Sequence, residues 1–168
     1  WGVIPYLSEP CQNFPDGYKR LSAFALEQGY VSYGDLVVVT SGSPFGITGT
    51  TNTLTVENIG DVLIRGYQGI GQRIHGKVIL AMSAESRPPY AVRGHVLVIT
   101  RCNETYRDLI TQACAVVLQN HIDDVRSEES LLALATEFHK PAIIRADAAF
   151  TILKDGQLVT VDPEKALV

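Results

Sequence analysis

Cysteine is scarce: Cys11, Cys102 and Cys114 are the only three, and none has a C-x-x-C neighbour. An odd, scattered set excludes a disulfide framework and reads as reduced thiols of a cytoplasmic protein. Long apolar runs are missing too, and nothing approaches the ~20 residues a membrane helix needs. The first residues carry prolines and no basic stretch, so they do not read as a secretory signal. Basic excess is absent, with 14 Lys and Arg against 18 Asp and Glu in 168 residues and a formal charge of −4. That excludes the electrostatic footprint of a protein for nucleic acid or anionic membrane. With hydrophobic residues at 46% and charged ones at 19%, intrinsic disorder is excluded as well.

The residues that are present alternate between helix and strand signals. Tyr18, Leu21, Ala25 and Leu26 share one face of a helix expected over residues 17–28, capped by Asp16 and stopped by Gly29. Leu36-Val37-Val38-Val39 leaves no solvent face and predicts a strand covered on both sides, as in parallel sheets. Residues 51–59 alternate like a half-buried strand. With the short apolar start at residues 2–4, this gives one helix and three strands, too little for a self-sufficient core. The segment is therefore expected to dock on something else.

After about residue 58 the style changes. Val96-Leu97-Val98-Ile99, residues 114–118 and residues 142–144 read as buried strands. Helices opened by Asn103 and Ser127 fall between them, and that alternation predicts parallel β-α-β units. Asp155-Gly156 predicts a hairpin joining residues 151–153 to residues 158–161. The fold class is α/β throughout, with a boundary near residues 58–62.

For chemistry, the loop Thr40-Ser41-Gly42-Ser43-Pro44-Phe45-Gly46-Ile47-Thr48-Gly49-Thr50-Thr51-Asn52 is the most informative stretch. It carries glycines, hydroxyls and no charge, which is how neutral loops converge donors on a phosphate. The plain alternative is a surface loop, and no Gly-Lys-Ser/Thr follows to make a nucleotide P-loop. Asp123-Asp124 with Glu128-Glu129 could be a metal or acid/base cluster, but a solvated loop and an acidic helix start are the favoured reading. The four histidines have no ligand spacing. Arg65, Arg73, Lys77, Arg87, Arg93 and Arg101 look anion-attracting but are scattered over the sequence. No catalytic constellation emerges.

Gly34-Asp35-Leu36-Val37-Val38-Val39-Thr40-Ser41-Gly42 followed by Gly49-Thr50-Thr51-Asn52 resembles the strand and loop end of the C-terminal domain of pyruvate kinase. Trp1-Gly2-Val3 with Pro5 resembles that family's preceding strand. Residues 60–168 are similar to the extra C-terminal segment of some bacterial pyruvate kinases, a swivelling phosphohistidine-like domain. The supporting stretches are Gly76-Lys77-Val78, Lys140-Pro141-Ala142-Ile143-Ile144 and Asp155-Gly156-Gln157-Leu158. The domain reading is then residues 1–59, half of a Rossmann-like allosteric domain, and residues 60–168, a β/β/α swivelling domain.

The resemblance implies a regulatory and assembly portion of an enzyme that moves phosphoryl from phosphoenolpyruvate to ADP in glycolysis. It implies Mg and K for the intact enzyme and no cofactor in this segment. Its catalytic barrel has no counterpart here, so the chain is expected to be inactive alone, as a piece of a longer protein or a stand-alone relative. Where the phosphotransfer domains carry Thr-Ser-His, this chain has Glu128-Glu129-Ser130. Without an imidazole no phosphohistidine can form, and the carboxylates repel phosphate. The implied partners are a sugar phosphate or nucleotide effector, the enzyme's own catalytic domain, and further copies in a homo-oligomer whose contact includes the strand at residues 51–57. The implied effector residues are Ser43, Gly46, Gly49, Thr50, Thr51 and Asn52, with no catalytic or metal residues. The alternative is a stand-alone binding or scaffold module.

Overall fold

The computed structural model describes residues 2–11, 13–42, 44, 47 and 49–168. The chain divides into two compact units, Trp1–Asp61 and Val62–Val168.

The first unit is built on helix α1 (Phe14–Glu27) and the antiparallel ribbon β1 (Leu36–Gly42) with β2 (Thr51–Asn58). The helix starts earlier than Asp16. Asn13 is the cap, its side chain accepting the Asp16 N–H at 2.9 Å, because Pro15 suits the first turn and needs no amide partner. Gly29 ends the helix with φ +69°, the left-handed conformation expected of a glycine stop. Tyr18 reaches across to donate its hydroxyl to the Asn58 carbonyl at 2.8 Å.

Two strand expectations are corrected. Residues 2–4 form no strand, since no ladder partner lies beside them among the described residues. The strand at Leu36–Gly42 is neither parallel nor fully buried. Among the described residues it pairs only with β2, and alternate residues stay open: Leu36 is 56% exposed and Val38 65%. On β2 the apolar Leu54 and Val56 share this open face, while Thr53, Thr55 and Glu57 take the other one. The Thr55 hydroxyl is buried with no hydrogen-bond partner among the described residues. A 360 Å³ gap lined by Leu21, Ala25, Val37 and Val39 separates α1 from the ribbon. Ile59 is the unit's only buried apolar residue among those described.

The second unit has the opposite character. Its strands are β3 (Gln68–Ile70), β4 (Ile74–Ala81), β5 (Val96–Ile99), β6 (Ala115–Leu118), β7 (Ala142–Ile144) and β8 (Leu158–Val161). They form one six-stranded sheet in the order β3-β7-β6-β5-β4-β8. The four central strands are parallel and the two edges antiparallel. Helix α2 (Pro89–Val92) links β4 to β5. A 3-10 turn and α3 (Arg107–Gln112) link β5 to β6, α4 (Val125–Glu137) links β6 to β7, and α5 (Ala149–Ile152) precedes β8.

Pleating sends alternate side chains to opposite faces. Leu97, Ile99, Val116, Leu118 and Ile144 pack under α3 and α4. Val96, Val98, Val117 and Ile143 pack against Ala146, Ala149, Leu153 and Val168 on the reverse. Both faces are covered, which is why continuous apolar strands fit here.

Two local expectations are corrected in this unit. Asp124, not Ser127, caps α4, accepting the Ser127 N–H at 3.2 Å. The buried Ser127 hydroxyl instead accepts the Cys102 N–H at 3.0 Å. Nor does Asp155-Gly156 join a local hairpin. Thr151 and Ile152 are helical in α5, and β8 pairs with β4. Asp155 accepts the Leu80 N–H at 2.7 Å, and Gly156 donates its N–H to the Val78 carbonyl at 2.8 Å. The turn is fastened to the β4 edge, and that long-range pairing wins over the local one.

Candidate functional site

The neutral loop comes first. Ser43 and Gly46 lie outside the described residues. Gly49 turns the chain with φ +84°, and the Thr50 hydroxyl donates to the Ile47 carbonyl at 2.8 Å. The ladder pairs Ser41 with Thr53 and Gly42 with Thr51, so Asn52 falls in a β-bulge. A bulge leaves one residue outside the ladder and re-aims side chains. A Cβ on Gly42 would sit 2.4 Å from the Thr50 carbonyl oxygen, so only glycine allows this closure. Thr50 is half-buried, whereas Gly49, Thr51 and Asn52 are exposed. The structure therefore gathers Gly49, Thr50, Thr51 and Asn52 at one exposed ribbon end, with the Thr50 hydroxyl already engaged in the turn.

A second cluster lies at the carboxyl ends of β6 and β7, in the second unit. Arg145 follows β7 with φ 50°, a left-handed conformation costly for a residue with a Cβ. Its Nε–H donates to Glu128 Oε1 at 2.5 Å and its Nη2–H to Oε2 at 2.9 Å. Asn120 closes the network: its amide donates to Glu128 Oε1 at 2.7 Å, and its carbonyl accepts the Arg145 N–H at 3.0 Å. The guanidinium also stacks 4.4 Å over the Tyr67 ring centroid. Glu128 is only 6% exposed. Its carboxyl is held below the usual range, chiefly by the Arg145 hydrogen bond, against an upward push from burial.

Glu128 is thus a buried, paired carboxylate rather than part of a solvated acidic helix start. The sequence signal lay in Arg145, a cation directly after a buried strand, where only a counterion makes it tolerable. Asp123 instead pairs with His121 at 3.1 Å, both exposed. Among the described residues no three His, Cys, Asp or Glu side chains gather as metal ligands would. Of the scattered cations, Arg87 hydrogen-bonds the Leu80 carbonyl and pairs with Asp155, a structural brace for the β4 turn.

Comparison with known proteins then places the chain. Residues 1–57 match the family described as the pyruvate kinase alpha/beta domain. A pyruvate kinase of Geobacillus stearothermophilus is 36% identical over 165 residues, spanning 96% of this chain and 27% of that protein. One of Staphylococcus haemolyticus is 32% identical over 163 residues, spanning 96% and 27%. One of Lactobacillus delbrueckii subsp. bulgaricus is 28% identical over 169 residues, spanning 100% and 28%. The chain covers little more than a quarter of the length of these curated relatives. On these matches the chain as a whole corresponds to the C-terminal part of pyruvate kinases.

Proposed function

We propose that this chain serves the regulation and assembly of a pyruvate kinase and takes no direct part in its phosphoryl transfer. That enzyme carries phosphoryl from phosphoenolpyruvate to ADP, giving pyruvate and ATP in the glycolysis of the cytoplasm. The observation that carries the proposal is similarity along at least 96% of this chain to pyruvate kinases of which it spans 27–28%. On this reading residues 1–59 are the second half of the allosteric domain, and residues 60–168 are a swivelling phosphohistidine-like domain.

The second domain would have lost its phosphoryl-carrying role. Where such domains carry Thr-Ser-His, α4 presents Glu128-Glu129-Ser130, so Ser130 stands at the histidine's place and Glu128, two residues before it, is already held by Arg145. A carboxylate locked to a guanidinium neither accepts phosphoryl as an imidazole does nor welcomes an anion beside it. Mg and K belong to the catalytic part of the enzyme.

The first domain would act through its ribbon. Ser43, Gly46, Gly49, Thr50, Thr51 and Asn52 would offer neutral donors to the phosphate of a sugar phosphate or nucleotide. To join them, the Thr50 hydroxyl must leave the Ile47 carbonyl. The open face of Leu36, Val38, Leu54 and Val56 supports docking, onto the rest of the enzyme or across a homo-oligomer contact, because ribbons seldom expose such a face.

The test is the double variant Thr50→Val, Thr51→Val in the full-length enzyme encoded with this chain. Basal turnover should persist while activation by sugar phosphate or nucleotide shifts to at least about tenfold higher effector concentration. Unchanged activation would overturn the loop assignment.

A further inference from the structure

The second unit carries another cavity, at the opposite end of its parallel strands from the Glu128–Arg145 pair. Its 770 Å³ volume lies where β3 ends, where β4, β6 and β7 begin, and beside the last turn of α4. That volume is in the range of small-molecule pockets. Ile70, Ile74, Ala135 and Pro141 give it an apolar floor.

Its polar lining is one-sided. Arg73, Lys140 and His139 line it, and no carboxylate does. Neither Arg73 nor Lys140 makes a side-chain ion pair among the described residues. This is unexpected in a chain whose formal charge is −4. Burial pushes up the pKa of the half-buried Cys114 thiol in the same cavity, and the Lys140 charge opposes that rise only in part.

The backbone around the cavity is constrained. Gly71 turns with φ +92°, and a Cβ there would meet the Pro141 Cα at 2.8 Å. His139 is left-handed at φ 52°. Two of the last α4 carbonyls are engaged by the chain itself: the Lys140 N–H donates to the Ala135 carbonyl and the His139 N–H to the Thr136 carbonyl. Three cationic or protonatable residues thus line one apolar-floored cavity whose lining holds no carboxylate.

We propose that this cavity binds a phosphorylated small molecule, its phosphate held by Arg73 and Lys140 and its apolar portion resting on Ile74 and Pro141. The site is independent of the neutral loop in the first unit and does not rest on that loop's assignment.

Inorganic pyrophosphate, titrated into the complete 168-residue chain at constant ionic strength, tests it. Amide NMR shifts should saturate at Gly71, Gln72, Arg73, His139 and Lys140. The same titration should slow alkylation of Cys114. R73Q and K140Q, at solvent-accessible positions, should each weaken binding about tenfold with the melting temperature unchanged. Shifts that fail to saturate, shifts confined to Gly49, Thr50 and Thr51, or equal affinity in R73Q and K140Q would overturn it.

Discussion

Arg145 and Glu128, separated by 17 residues, are joined by two hydrogen bonds of 2.5 and 2.9 Å. The left-handed backbone of Arg145 is the strain the fold accepts to make that pair. Its consequence is a pH dependence of stability. The Glu128 carboxyl titrates below its ordinary value of 4.5, mainly because Arg145 donates to it. A depressed carboxylate stabilises the fold fully above its unfolded value and loses that contribution as pH falls through the folded one. Melting temperature should therefore drop as pH is lowered below about 4.5, and E128Q should show a lower plateau with a flatter acid limb. Parallel acid limbs for the two proteins would contradict the pairing.

The three thiols should separate by reactivity. Burial pushes Cys102 up to about 12 and raises Cys114 as well, so neither presents much thiolate near neutral pH. Cys11 is half-buried, in an irregular segment of the first unit. An aromatic disulfide reagent at neutral pH should label Cys11 first and Cys114 slowly, with Cys102 reacting only on denaturation. Fast native labelling of Cys102 would contradict its placement beneath α4.

Gly66 should resist even alanine. A Cβ there would lie 2.3 Å from Ile143 Cγ2 and 2.9 Å from the Ile144 carbonyl oxygen. Both neighbours belong to the central strand β7 and cannot yield cheaply. G66A should cost about 1–3 kcal/mol in chemical denaturation, the usual toll of overpacking.

Val38 and Val56 stand directly opposite each other on the open ribbon face. In the isolated chain V38T/V56T should alter stability by less than about 0.5 kcal/mol, as exposed substitutions do. In the full-length enzyme the same pair should weaken assembly, read by sedimentation. A large loss of stability in the isolated chain would mean the face is covered internally.

The contrast between two apolar quartets explains what the sequence made legible. Val96-Leu97-Val98-Ile99 is a strand sealed on both faces, as its pattern predicts. Leu36-Val37-Val38-Val39 has the same pattern, yet lies half open in a two-stranded ribbon. An apolar run states what a strand needs, whereas the neighbouring chain decides whether it receives it. Local signals such as Gly29 and Asn103 were readable because their hydrogen bonds close within a few residues. The Asp155-Gly156 turn was not, because its partners lie on β4, 75 residues away. Arg145 escaped notice for the same reason: its counterion sits on another element, and no spacing rule connects them. The cavity at Arg73 and Lys140 depends likewise on the ends of four strands meeting.

The most direct measurement of the central claim is pyruvate formation from phosphoenolpyruvate and ADP, with Mg and K present, by this chain alone and by the full-length enzyme encoded with it. The account predicts no turnover by the chain and sustained turnover by the enzyme. Pyruvate produced by the 168 residues alone, and abolished by substitutions within them, would contradict it.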